Sequence, residues 1–222
     1  MLSREGCEIT SPSSAAAVPS ALAEDYARLT MLTFAQHQRG EHALGQLGNV
    51  RGRLSPSPTD FSYQDVRAHA TIVRMTSIVE SFASINLANR LEAFVPLPRP
   101  AFVEDLYYRE ENLALSGWEQ MRTRYKKWVG GLDISKCQGY STVMSLVEAR
   151  NAVAHGLGSL TRRQLRGANL GSIVAGLQNI GMAVDAQSRV SVPPQALKEA
   201  AVGCRSFILS LDAELQQVPT VV

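Results

Sequence analysis

"TIVRMTSIVESFASINLANRL", residues 71–91, reads as a helix that is apolar on more than one side. Ile72, Met75, Val79 and Phe82 recur every three or four residues along one face, and Ile78 and Ile85 mark another. A surface helix keeps one broad face polar. A helix this apolar sits at the centre of a fold or is shared with a second subunit. Thr59 or Asp60 supplies its N-cap. "VPLPRP", residues 95–100, stops it after Phe94, because proline cannot continue a helix.

Towards the N-terminus, residues 21–39 show helical spacing at Leu22, Tyr26, Leu29 and Phe34 and end before Gly40. The segment from Gly40 to Asp60, "GEHALGQLGNVRGRLSPSPTD", is rich in Gly, Ser and Pro and reads as a long loop. Loops of that length are often functional, and this one is a plausible contact surface for a regulator. Residues 1–20 read as a flexible tail. Arg4 among Glu5 and Glu8, with Pro12 and Pro19, leaves no h-region of about 7 to 15 apolar residues.

Towards the C-terminus a short helix covers 101–113. Ser116 and Glu119 form a capping box for a helix whose inner side carries Trp118, Met121, Tyr125 and Trp128. "GGLDISKCQGY", 130–140, is loop, and residues 141–155 are helical. Residues 159–180 are helical in part. "GMAVDAQSRVSV", 181–192, alternates like a small hairpin around Ala186, Gln187 and Ser188. Pro193 and Pro194 open a last helix to about Gln217. The fold class is therefore mainly α: a tail over 1–20, then one helical domain over 21–222 with one hairpin near 182–192.

Bulk properties bound the function. A chain of 222 residues, 45% hydrophobic and 19% charged, has room for one domain with a real core. Its formal charge of +2 decides nothing about partners by itself. Cys7, Cys137 and Cys204 are far apart and form no CxxC pair, the usage of a reducing cytosol, which makes the expected location cytoplasmic. No apolar run approaches the roughly 20 residues a membrane span needs.

Chemistry concentrates in "EARNAVAHGLG", residues 148–158. On a helix, Val143, Val147, Arg150 and Ala154 share one stripe. Arg150 interrupts it, and a buried guanidinium needs an acidic partner, or a cleft where an anion reaches it. Glu148, Asn151 and His155 share a second face, with Asn151 one turn before His155 and able to orient it. Gly156 and Gly158 end the helix, leaving His155 in the last turn, where the helix dipole favours the imidazolium form. Arg150 and His155 lie five residues apart, about 140° around the axis. One helix cannot aim both at one atom, whereas two such helices side by side in a two-fold dimer can.

Arg150 to His155, "RNAVAH", resembles the R-x4–6-H signature of HEPN domains, with an Asn directly after the Arg and the small Gly156 after the His. The order of elements is similar too: a long apolar helix carrying Glu80, a connecting helix, the motif helix and a terminal helix. "GMAVDAQSRVSV" before the closing helix is similar to the branch that resembles RiboL-PSP. The resemblance spans roughly residues 21 to 217. It implies a HEPN-like helical bundle and a dimeric, metal-independent endoribonuclease with no cofactor, often a toxin or antiphage effector restrained by an antitoxin or another regulatory partner. In that reading the ribose 2′-hydroxyl attacks the adjacent phosphate of an RNA substrate. His155 serves as general acid or base, Arg150 stabilises charge on the phosphoryl oxygens, and Asn151 orients the histidine or touches the substrate.

Local charge agrees: Ala149 to Val184 holds four arginines (Arg150, Arg162, Arg163, Arg166) and no carboxylate. Such a field attracts phosphate backbones. The plainer alternative pairs Arg150 with Glu80 or Glu148 and makes His155 a helix cap, in a non-catalytic HEPN module or an interaction protein. "RTRYKKW", 122–128, reads as a solvated face over an aromatic core. His37 and His42 read as surface residues. No Walker loop, GxSxG or HExxH occurs, so nucleotide-dependent or zinc chemistry finds no support.

Overall fold

The structure, a computed structural model, describes residues 18–51, 63–95 and 97–219, with side chains for 18–40, 65–95 and 97–219. Among these residues the elements are α1 (Ala21–Arg51), α2 (Tyr63–Phe94), α3 (Ala101–Ala114), α4 (Trp118–Trp128), α5 (Tyr140–Gly156), α6 (Arg162–Arg166), α7 (Leu170–Asn179), β1 (Ala183–Val184), β2 (Val190–Ser191) and α8 (Pro194–Gln217). The fold is mainly α, a helical bundle with one small antiparallel hairpin.

Helix α2 is central, as its two apolar faces require. Ile72, Met75, Val79 and Phe82 have no exposed surface, Ile78 is buried, and the helix packs on α1, α4, α5 and α8. The second central element is α8, whose buried line passes from the small Ala196, Ala200 and Cys204 to the large Phe207 and Leu211 against α1, α2 and α5. The two ends of the fold are tied together. Ser20 donates its backbone N–H and its hydroxyl to the Asp212 carboxylate at 2.8 and 2.6 Å, and its oxygen accepts the Ala23 N–H that opens α1. Tyr125 of α4 is fully buried and donates its hydroxyl to the Ala83 carbonyl of α2 at 2.7 Å.

The hairpin pairs Ala183 with Ser191 and Val184 with Val190. Its turn falls where the sequence puts it: the Asp185 carboxylate accepts the backbone N–H groups of Gln187 and Arg189, and Ser188 takes a φ of 64°.

Four expectations are corrected. Helix α1 does not stop at Gly40 but runs to Arg51, so the first half of the expected 40–59 loop is helical; its remainder, with Thr59 and Asp60, lies outside the described residues. The reason is Arg67 of α2, which donates to the His37 carbonyl at 2.6 Å and lies over Gly40, where any Cβ would meet its guanidinium. His37 is not on the surface: it is buried, 2.9 Å from the Thr71 hydroxyl. The side chain of His42 lies outside the described ones. Ser116 does not cap α4; its hydroxyl turns back to the Leu113 carbonyl, and Gly117 holds the cap position. The 130–140 loop contains one 3-10 turn, Ile134–Lys136, capped by Asp133.

Burial pushes the thiols of Cys137 and Cys204 up to about 11 and about 12. A Cys7→Ser variant is therefore expected to show no thiol reacting with Ellman's reagent at pH 8 on a timescale of minutes, and two in denaturant. Fast native labelling would mean that α8 opens readily.

Candidate active site

Helix α5 begins at Gly139, in the left-handed region at φ 84°, whose carbonyl accepts the Val143 N–H. It stops where Leu157 and Gly158 both take positive φ, and both of their N–H groups turn back to the Ala152 carbonyl. Leu157, not a glycine, holds the first left-handed position. This closure places His155 in the last turn, exposed to solvent.

Along the mixed stripe burial falls steadily: Val143 is buried, Val147 and Arg150 are half-buried, Ala154 is exposed. Arg150 has the acidic partner its position demands. Its guanidinium donates to Glu80 Oε1 of α2 at 2.6 Å, and the same oxygen accepts the Trp118 indole N–H at 3.0 Å. Glu80 thus joins α5 and α4 to α2. The trio lies in a groove of about 560 Å³ lined also by Tyr26, Ser81 and Ile85. One edge of both ion-pair partners is open to water, with side-chain exposures of 29% and 27%.

Glu80→Ala would leave a half-buried guanidinium and an indole N–H without their acceptor. It is expected to cost about 1–3 kcal/mol in urea unfolding, less than a fully buried pair because water reaches both groups. In a double-mutant cycle with Arg150→Met, the coupling should account for about 1 kcal/mol of that. A coupling near zero would show that the pair does not hold the helices.

On the other face, Glu148 is engaged by Gln164 of α6. The Gln164 amide donates to the Glu148 carbonyl and carboxylate at 3.0 and 2.6 Å. Gln164 is buried because it completes a capping box with Thr161, visible in the sequence as "TRRQ" and not singled out there. The clamp holds α6 against α5 and leaves Arg162, Arg163 and Arg166 exposed. Asn151 is half-buried, and among the described residues neither it nor His155 has a hydrogen-bonded side-chain partner. The expected Asn151–His155 bond is therefore not formed.

The structure brings Arg150 together with Glu80 and Trp118, and does not bring it together with His155: the groove's lining includes neither His155 nor Asn151. The sequence reading also missed His69 of α2. Its ring packs against Gly158, so closely that a Cβ there would lie 2.8 Å from Cε1. His69 shares a cleft of about 220 Å³ with Asp65, Leu157, Asp185 and Arg189 at the end of α5. No local pattern could have found it, since His69 and Gly158 lie 89 positions apart in the chain.

Among the described residues, no three His, Cys, Asp or Glu side chains gather to hold a metal ion, and no helix is long and apolar enough to cross a membrane. Comparison with protein-family models, curated proteins and solved structures finds no match to this chain.

Proposed function

We propose that the chain is a metal-independent endoribonuclease of the HEPN type, the cytoplasmic effector of a toxin–antitoxin or antiphage system. The observation that carries this reading is the end of α5. There an exposed histidine in the last helical turn stands on the same helix that Gln164 fastens to α6, with its three exposed arginines. The arginines hold the RNA backbone by its phosphates. His155 exchanges the proton as the 2′-oxygen attacks phosphorus and the 5′-oxygen leaves, giving a cyclic phosphate and a free 5′-hydroxyl. Arg150 meets the phosphoryl charge from the groove of a neighbouring subunit, since one chain does not aim both residues at one atom.

The test is cleavage of total RNA and tRNA by purified protein in EDTA, with the product ends identified. Cyclic phosphate ends that disappear with His155→Ala support the enzyme. A well-folded assembly that cleaves neither substrate would refute activity of the isolated protein.

One observation favours a second reading, a non-catalytic HEPN module that binds RNA, nucleotide or a partner protein. The Arg150 guanidinium is already held by Glu80, which gives it an architectural role without any substrate. Salt-sensitive RNA binding without product, unchanged by His155→Ala, would select that reading.

A further inference from the structure

Among the described residues, fourteen large hydrophobic side chains are exposed, and seven of them fall between residues 94 and 115: Phe94, Leu97, Phe102, Leu106, Tyr108, Leu113 and Leu115. Single exposed apolar residues need no explanation, whereas a cluster this dense marks a contact surface. Its centre is α3. That helix buries only Tyr107 and Ala114, and turns Phe102 (79% exposed), Leu106 (47%) and Leu113 (42%) outward.

The outward stripe is Phe102, Leu106, Arg109 and Leu113, at i, i+4, i+7 and i+11, within an arc of about 60°. Its spacings, four, three and four, read the same in both directions. A two-fold axis across the middle of the helix therefore lays the stripe on its own copy, antiparallel. Phe102 then faces Leu113 of the second copy, and Leu106 faces Arg109 of the second copy.

The charges agree with that pairing. Of the acidic groups on the later turns of α3, Glu110 is bonded to Arg124 of α4, and Glu111 accepts the Tyr107 hydroxyl. Arg109 on the stripe and Asp105 beside it are exposed, and among the described residues neither is in an ion pair. In the antiparallel register Arg109 lies next to Asp105 of the second copy, twice by symmetry, with its aliphatic stem over Leu106. A strongly basic or strongly acidic partner would satisfy one of these charges and oppose the other. A second copy satisfies both.

We propose that the outer face of α3 is a self-pairing surface on which a second copy of this chain docks antiparallel through Phe102, Leu106, Arg109 and Leu113. The contact is separate from any pairing of α5 helices and does not depend on the ribonuclease reading.

The test is sedimentation equilibrium of the full chain through the micromolar range. Phe102→Asp with Leu106→Asp is expected to halve the mass of the assembly, with helical content unchanged because both side chains lie outside the core. Arg109→Asp should weaken association at least about tenfold, by facing carboxylate with carboxylate, and adding Asp105→Arg should restore it. A monomeric wild-type chain would overturn the proposal. So would an assembly whose mass ignores the double substitution, or a charge reversal that its counterpart does not rescue. A monomeric wild-type chain would also remove the neighbouring subunit that the ribonuclease reading needs; the other two results leave RNA cleavage by His155 untouched.

Discussion

His155→Ala is expected to cleave RNA at least about 100-fold more slowly than the parent protein, with its fold and assembly unchanged. The imidazole is exposed and makes no hydrogen bond to a described residue, so removing it leaves no cavity and no orphaned polar group. Surface changes of that kind stay within about 0.5 kcal/mol in unfolding. Lost activity would then report chemistry rather than damage. Arg150 gives no such clean contrast. Arg150→Ala removes the cation from the groove and also the partner of Glu80, so its rate must be read beside its melting curve. Undiminished cleavage by His155→Ala would exclude the proposed mechanism.

What the sequence revealed and what it hid divide along one physical line. Features set by local chemistry were legible. The two prolines opening α8, the Asp185 turn and the halt of α5 just past His155 all arise within a few residues of chain. The acidic partner of Arg150 was legible too, as one of two candidates, because a half-buried cation restricts what can stand opposite it. Features set by a neighbour across the fold were not. Gly40 signals a helix end by itself, and only Arg67 crossing from α2 makes it a helical interior. Ser116 and Glu119 have capping-box spacing, but the chain passes through Gly117 in an extended conformation, and the hydroxyl finds a nearer carbonyl. His37 looks like a surface histidine until Thr71 covers it. His69 belongs to the same class: its meaning depends on Gly158, a contact that no local pattern encodes.

Gly139→Ala is expected to lower stability by about 2–5 kcal/mol, the largest effect of any single methyl group considered for this fold. Two costs combine. Alanine in the left-handed region costs roughly 1–2 kcal/mol, and Gly139 sits there at φ 84°. The new methyl would also run into the Gly203 carbonyl oxygen and lie 2.9 Å from the Phe207 nitrogen, both main-chain atoms of α8. Forcing such a crossing open costs about 1–3 kcal/mol more. Gly131→Ala separates the two terms, because Gly131 has φ 82° and nothing within 4 Å of its added Cβ. It should cost only the conformational part in urea unfolding. Gly203→Ala supplies the converse: the three atoms nearest its methyl would all belong to the Thr142 side chain, Cβ among them, so Thr142→Gly, which removes that Cβ too, should relieve the clash. No side-chain truncation should rescue Gly139→Ala, whose obstacle is backbone. Equal losses for Gly139→Ala and Gly131→Ala would mean that α5 and α8 part easily. The point bears on the site because this crossing fixes where α5 begins, and with it the reach of Arg150 to Glu80 and the direction in which His155 leaves the last turn. A variant that survives with α5 tilted should therefore lose the Arg150–Glu80 coupling before it loses its helical content.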